Sequence, residues 1–368
     1  MSAAGAALDE LETPALLIDL DALAANLAEM AAVAARAGVR LRPHTKTHKS
    51  PEIARLQVAA GAAGITCAKL GEAEVMADAG LDDLLIAYPL VGDDKLRRLA
   101  ALLERARVRV TLDSIEVAEG LGRLGRELGR DVEVLVEVDT GLHRLGRPPG
   151  PPTADLVGRV TRVPGVQLAG LLTHAGHAYR SPTAAELRRL AEREVLDLVE
   201  TAELCRRQGI DLAEISVGST PTARIGAFVD GVTEIRPGTY ALNDATMMRL
   251  GVATEAMTAA RVLATVVARP TAERFVLDAG SKCFTTDNMG TVPDWLVVAG
   301  RPDLHMDFLS EEHGVGHRDG GEELRIGDRL QVIPSHVCGC VNLFDVAYGV
   351  RRGRLERELP IAGRGRVR

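Results

Sequence analysis

Aromatic residues make up only 3% of the 368-residue chain, with a single Trp. That scarcity argues against base-stacking platforms for single-stranded nucleic acid. A basic excess is missing too: the formal net charge is −7, so the footprint of a DNA- or RNA-binding protein is not seen. No uninterrupted apolar run reaches the roughly 18 residues of a membrane span. The opening MSAAGAALDELETP lacks the basic start and apolar core of a signal peptide. Five cysteines are an odd number in so large a chain and do not suggest a disulfide framework. The expectation is a cytoplasmic protein with no membrane or nucleic-acid partner. The ending GRGRVR is basic but short and reads as a solvated tail.

What the chain does have is alternation. Short β-like runs occur at 39–44, 64–69, 83–89, 107–114, 131–141, 166–176, 213–220 and 233–240. Between them lie Ala-, Leu-, Arg- and Glu-rich segments with helical apolar spacing. In SPEIA, Ser50 suits an N-cap, Pro51 the first turn and Glu52 the positive helix end. Eight such units predict an α/β fold, a (β/α)8 barrel over 21–240. The rival is a doubly wound open sheet, weakened because no G-x-G-x-x-G follows the first strand. After 241 the texture becomes mostly β, so 241–368, with the early strand 12–20, reads as a second domain.

Barrels carry their chemistry at the C-terminal ends of the strands. The first strand ends in HTKTHK, presenting His44 and Lys46. The fifth ends in DTGLHR, presenting Asp139, His143 and Arg144. The sixth ends in THAGHAY, presenting His174, His177 and Tyr179. Five of the nine histidines lie in these segments, and structural histidines would scatter more evenly. The seventh and eighth ends carry Gly218, Ser219 and Thr220, then Gly238, Thr239 and Tyr240. Such loops cradle phosphate in many barrels, although the same residues also serve ordinary turns. A phosphate cup facing a strand-end lysine suggests pyridoxal 5′-phosphate (PLP), held by Lys46 as a Schiff base. Lys49, beside the helix start, reads as solvated.

One further group lies at PSHVCGCVNLFD, 334–345. His336 and Cys338 are two apart, so on an extended strand they share a face. Imidazole plus thiolate suits a soft divalent metal, with Zn2+ first. Cys340 has the same parity and an open role. A buried thiol beside a structural histidine is the alternative.

These segments, with ETPALLIDLD, RPGTYALNDA, LDAGSK and EEHG, resemble the D-threonine aldolase/D-serine dehydratase family across nearly the whole chain. The resemblance implies a PLP-binding barrel of the alanine racemase type, a metal-bearing β domain, a homodimer and a small D-amino acid substrate. Carried over by motif, Lys46 holds PLP, and Gly218, Ser219, Gly238 and Thr239 contact its phosphate. Tyr179 lies near its ring, Arg144 lines the site, and His336 and Cys338 bind metal. His44, His174 and His177 would stand around this centre. The activity implied is that of a lyase on D-3-hydroxy amino acids. The first reading is a D-serine/D-threonine dehydratase giving a 2-oxo acid and ammonia. The alternative is a D-threonine aldolase giving glycine and an aldehyde. Family dehydratases resemble this H-x-C arrangement with zinc, whereas aldolases carry H-x-D, which suits Mn2+ or Mg2+. Two other readings stand behind these: a non-catalytic PLP-binding homeostasis protein, and a racemase needing a second acid/base from the β domain.

Overall fold

The computed structural model describes residues 7–287 and 296–368. The chain divides into two units. One comprises Glu29–Lys46, Ile53–Gly238 and Gly365–Arg368. The other takes the chain up to Ala28, together with Thr47–Glu52 and Thr239–Arg364.

The first unit is an eight-stranded parallel barrel. Its strands are β2 (Arg40–Leu41), β3 (Ile65–Cys67), β4 (Asp83–Ile86), β5 (Arg107–Leu112), β6 (Val132–Val138), β7 (Val166–Thr173), β8 (Glu214–Val217) and β9 (Glu234–Ile235). Their order is β2-β9-β8-β7-β6-β5-β4-β3. The ring closes where His44 bridges Thr66 and Thr66 N–H donates to the Pro43 carbonyl at 2.8 Å. Every alternation in the sequence therefore produced a strand, but all eight strands are shorter than their β-like runs. The last run shrinks furthest, to Glu234–Ile235, because Pro237 cannot donate to a ladder. The helices turn one apolar face inward; α5 (Ile115–Leu128) buries Val117, Ala118, Leu121 and Leu124.

The barrel interior is layered. Leu85, Leu135 and Leu172 pack together at its middle. The N-terminal end is plugged by ions. Arg42 bonds Glu234 at 2.9 Å and Asp83 at 2.7 Å, while Arg109, 1% exposed, bonds Glu214 at 2.5 Å. Buried charges persist only when paired in this way. The sealed floor leaves the C-terminal end open for ligands.

The second unit is a nine-stranded sheet, order β11-β14-β13-β12-β15-β10-β1-β16-β17. Its strands are β1 (Ala15–Asp19), β10 (Ala260–Ala268), β11 (Arg274–Leu277), β12 (Val297–Val298), β13 (Leu304–Leu309), β14 (Gly314–Arg318), β15 (Arg329–Ile333), β16 (Val346–Arg351) and β17 (Arg354–Pro360). Pairing of β11 with both β10 and β14 curls the sheet so that β11 is not left as an edge, while among the described strands β17 pairs only with β16. The early strand joins this sheet, antiparallel to β10 and parallel to β16.

Two local expectations are corrected. Lys49 is buried at φ +48°, not solvated. The Ser50 hydroxyl, although it precedes helix α2 (Pro51–Ala59), is buried and makes no capping bond among the described residues.

Candidate active site

A cavity of about 390 Å³ opens in the barrel unit at the ends of its strands. That size suits a cofactor or small ligand. His44 and Lys46 reach it from beyond β2, Lys69 from beyond β3, and Tyr88 from beyond β4. Glu137 comes from β6, Arg144 from the loop after it, His174 from beyond β7, Gly218 from beyond β8 and Arg236 from beyond β9.

Lys46 stands in a single 3-10 turn, Thr45–Thr47. Its backbone N–H donates to His44 Nδ1 at 3.3 Å, which assigns the imidazole proton to Nε2. Burial, together with the charges of Lys46, His174, Arg236 and Arg144, holds the His44 pKa well below its usual value. His174 is depressed in the same way, by burial and then by Lys46, Arg144 and Arg236. Both imidazoles are therefore neutral. Burial pushes the Glu137 carboxyl up, opposed by Arg144, which lies 3.7 Å away, and by Arg236. Arg236 is buried and donates to the Ser216 hydroxyl and the Thr173 carbonyl. Lys69 Nζ sits 3.4 Å over the ring centre of the exposed Tyr88, a cation–π contact.

Not every predicted phosphate donor faces this cavity. Gly218 lines it, at φ +99°, a left-handed conformation that favours glycine. Its N–H, however, donates to Glu194 Oε1 at 2.9 Å. Ser219 and Thr220 are buried at the start of α8 (Thr220–Gly226), where Ser219 and Thr222 form a reciprocal capping box. Tyr179 is buried in the turn Gly176–Arg180 after β7. Gly238 is buried beyond β9. His177 is partly exposed beside Gly141, and burial lowers its pKa.

In the second unit His336 and Cys338 do meet, but not on a strand. His336 is the N-cap of a short helix, Val337–Val341. Asp244, capping another short helix, Ala245–Arg249, accepts the Val337 N–H at 3.1 Å and so starts that turn. Helical spacing turns Cys340 away: its thiol is buried and donates to the Cys283 carbonyl at 3.1 Å. Burial raises the Cys340 pKa, and the thiol is turned away from the His336–Cys338 pair. His336 Nδ1 lies 2.7 Å from Asp287 Oδ2. Burial lowers the imidazole's pKa, but Cys338, Asp244 and Asp287 raise it to about 10. Cys338 Sγ lies 3.3 Å from Thr47 Oγ1 and 3.8 Å from Thr239 Oγ1. Thr239 thus stands beside the thiol, and Tyr240 is buried in the turn Thr239–Ala241.

Both sites can be tested for fit. Four cations line the barrel cavity, Lys46, Lys69, Arg144 and Arg236, against the single carboxylate Glu137. That donor set suits an anionic ligand such as PLP. At the other site a carboxylate-oriented imidazole and a partly exposed thiol suit a soft divalent metal. Sequence reading passed over Arg236, Glu137, Lys69, Glu194, Asp287 and Thr47. Arg236 had a legible signal: it ends a strand, two residues after barrel-facing Glu234. Asp287 had none, being 49 residues from its partner.

Residues 18–246 match the family model "Alanine racemase, N-terminal domain", and 259–350 match a serine dehydratase domain. The chain is 37% identical over 349 residues to D-threo-3-hydroxyaspartate dehydratase of Delftia sp. (strain HT23), covering 89% of this chain and 91% of that protein. It is 35% identical over 366 residues to D-threonine aldolase of an Arthrobacter sp., covering 98% and 95%. The crystal structure of D-threonine aldolase from Filomicrobium marinum superposes with a TM-score of 0.93 at 34% identity, over 99% of both chains. Among the described residues no helix is long and apolar enough to cross a membrane. The chain belongs to the D-threonine aldolase/D-serine dehydratase family of PLP-dependent lyases, built on an alanine racemase-type barrel.

Proposed function

We propose that the chain is a dehydratase of D-3-hydroxy amino acids, converting D-serine or D-threonine to a 2-oxo acid and ammonia. The observation that carries this reading is the thiol at Cys338 beside the His336 imidazole, a soft pair that favours zinc over Mn2+ or Mg2+. An aldolase remains the second reading, supported by the similarity to D-threonine aldolases.

Lys46 would hold PLP, and its Nζ is the base for the substrate's α-proton. PLP, when bound, supplies an electron sink for the negative charge that develops at the α-carbon. His336 and Cys338 would hold the metal, which supplies Lewis acidity for departure of the β-hydroxyl. Asp287 fixes the His336 ring so that Nε2 stays available. Arg236, tied down on Ser216 and Thr173, keeps a fixed positive charge in the cavity. Arg144, half exposed and 3.7 Å from Glu137, is the cation placed to receive a substrate carboxylate. His44 and His174, both neutral, add no further charge beside Lys46. Loss of the α-proton and the β-hydroxyl amounts to loss of water, and hydrolysis of the resulting enamine releases ammonia.

Product analysis decides the matter. Purified protein supplied with PLP and zinc is incubated with D-threonine. 2-Oxobutanoate and ammonia in equal amounts are expected. Glycine and acetaldehyde instead would replace the dehydratase by the aldolase.

A further inference from the structure

The hairpin of β13 and β14 carries two His-x-Asp triplets, His305-Met306-Asp307 and His317-Arg318-Asp319. None of these residues belongs to the His336–Cys338 pair. His305 and His317 are directly opposed in the ladder, and their rings stack with centres 5.1 Å apart at 24°. Asp307 sits at the bulge between Met306 and Phe308, and Asp319 follows the last residue of β14; both reach the stacked rings.

Their spacing is that of ligands around an ion. His305 Nε2 lies 3.6 Å from Asp319 Oδ2, and His317 Nε2 lies 3.7 Å from Asp319 Oδ1. These separations are too long for hydrogen bonds. They are close to the roughly 3.4 Å between ligand atoms that each stand about 2.0–2.1 Å from a tetrahedral metal. One ligand atom from each of the three residues lies within 4.8 Å of the others. Asp307 supplies the orienting partner: its Oδ1 lies 2.7 Å from His317 Nδ1. With Nδ1 donating, the lone pair of His317 rests on Nε2, the nitrogen that faces Asp319. Asp319 is itself anchored, its N–H donating to the Asp303 carbonyl at 2.8 Å.

We propose that His305, His317 and Asp319 form a second metal site, taking a divalent transition-metal ion that clips β13 to β14. Two imidazoles and one carboxylate select zinc, nickel or cobalt over calcium or magnesium. All three ligands are partly or fully exposed, so water completes the coordination.

The test uses the full-length PLP-loaded protein carrying Cys338→Ala, which removes the other metal pair. After chelation and dialysis it is titrated calorimetrically with ZnCl2. One zinc per chain is expected. Adding Asp319→Asn, a change at a mostly exposed side chain, should weaken binding at least tenfold, and His317→Gln should do the same. Absence of zinc binding overturns the proposal, as does binding that both substitutions leave unchanged. Should Cys338→Ala fail to fold, zinc counting on the otherwise unaltered holoenzyme replaces it. A loss of one ion per chain on Asp319→Asn then supports the site, and an unchanged count rejects it.

Discussion

His336 Nδ1 stands 2.7 Å from Asp287 Oδ2, and this single contact decides which imidazole nitrogen can hold a metal. A carboxylate on Nδ1 orients the ring and strengthens Nε2 as a ligand. Asp287→Asn should therefore lower metal affinity about 10- to 100-fold while leaving PLP content unchanged. Metal titration with parallel absorbance spectra checks both halves. Equal metal affinity in the variant would assign Asp287 to the surface ion pairs.

Cys338→Ala should keep the cofactor, lose the metal and abolish most turnover. Cys338→Asp is more informative, because it hardens the site. The preferred ion should shift from Zn2+ toward Mn2+. Metal-dependent activity profiles of the two proteins, measured side by side, check the shift.

Lys46→Ala should remove the yellow absorbance of the bound cofactor and reduce turnover by at least about a thousandfold, the scale of losing a base that is also the nucleophile. A yellow, active variant would move the cofactor to another lysine, with Lys69 next in the cavity.

The neutral histidines predict acid sensitivity of the cofactor-free protein. His44 and His174 have folded pKa values well below 6.5. Their contribution to stability is full above 6.5 and falls as the pH drops below it, since the unfolded chain then binds protons that the folded chain refuses. Urea unfolding at pH 7.5, 6.5 and 5.5 should show this loss. His174→Gln should flatten the dependence.

Arg109→Ala should destabilise the protein by up to roughly 3–5 kcal/mol, because Glu214 loses its buried partner and keeps only the partly exposed Arg40 at 3.1 Å. Replacing both residues by leucine should cost far less, since no unpaired charge then remains. Chemical unfolding of the single and double variants separates these outcomes.

Much of this was legible in the residues themselves. Eight β-like runs with helical segments between them specify the βα alternation, because the two hydrophobic periods cannot be exchanged, while closure into a ring rather than an open sheet is seen in the His44–Thr66 bridge. The rule that loops at strand ends carry chemistry then selected His44, Lys46, Arg144 and His174, all of which line one cavity. His44 and Lys46 face the barrel cavity, while Thr47, the next residue, touches the Cys338 thiol.

What tertiary structure alone decided concerns partners distant in sequence. Parity placed His336, Cys338 and Cys340 on one strand face; Asp244, remote in the chain, instead caps a helical turn there, keeping the first two together and burying the third. Gly218 read as a phosphate donor, yet Glu194 takes its N–H. His305, Asp307, His317 and Asp319 gather because β13 and β14 pair with His305 opposite His317, while a bulge between Met306 and Phe308 brings Asp307 beside that pair; a slip of one residue would turn His317 to the opposite face. Local sequence sets the period and turn of each element. Which side chains meet depends on long-range pairing, where burial and hydrogen-bond demands from the whole fold outweigh local preference.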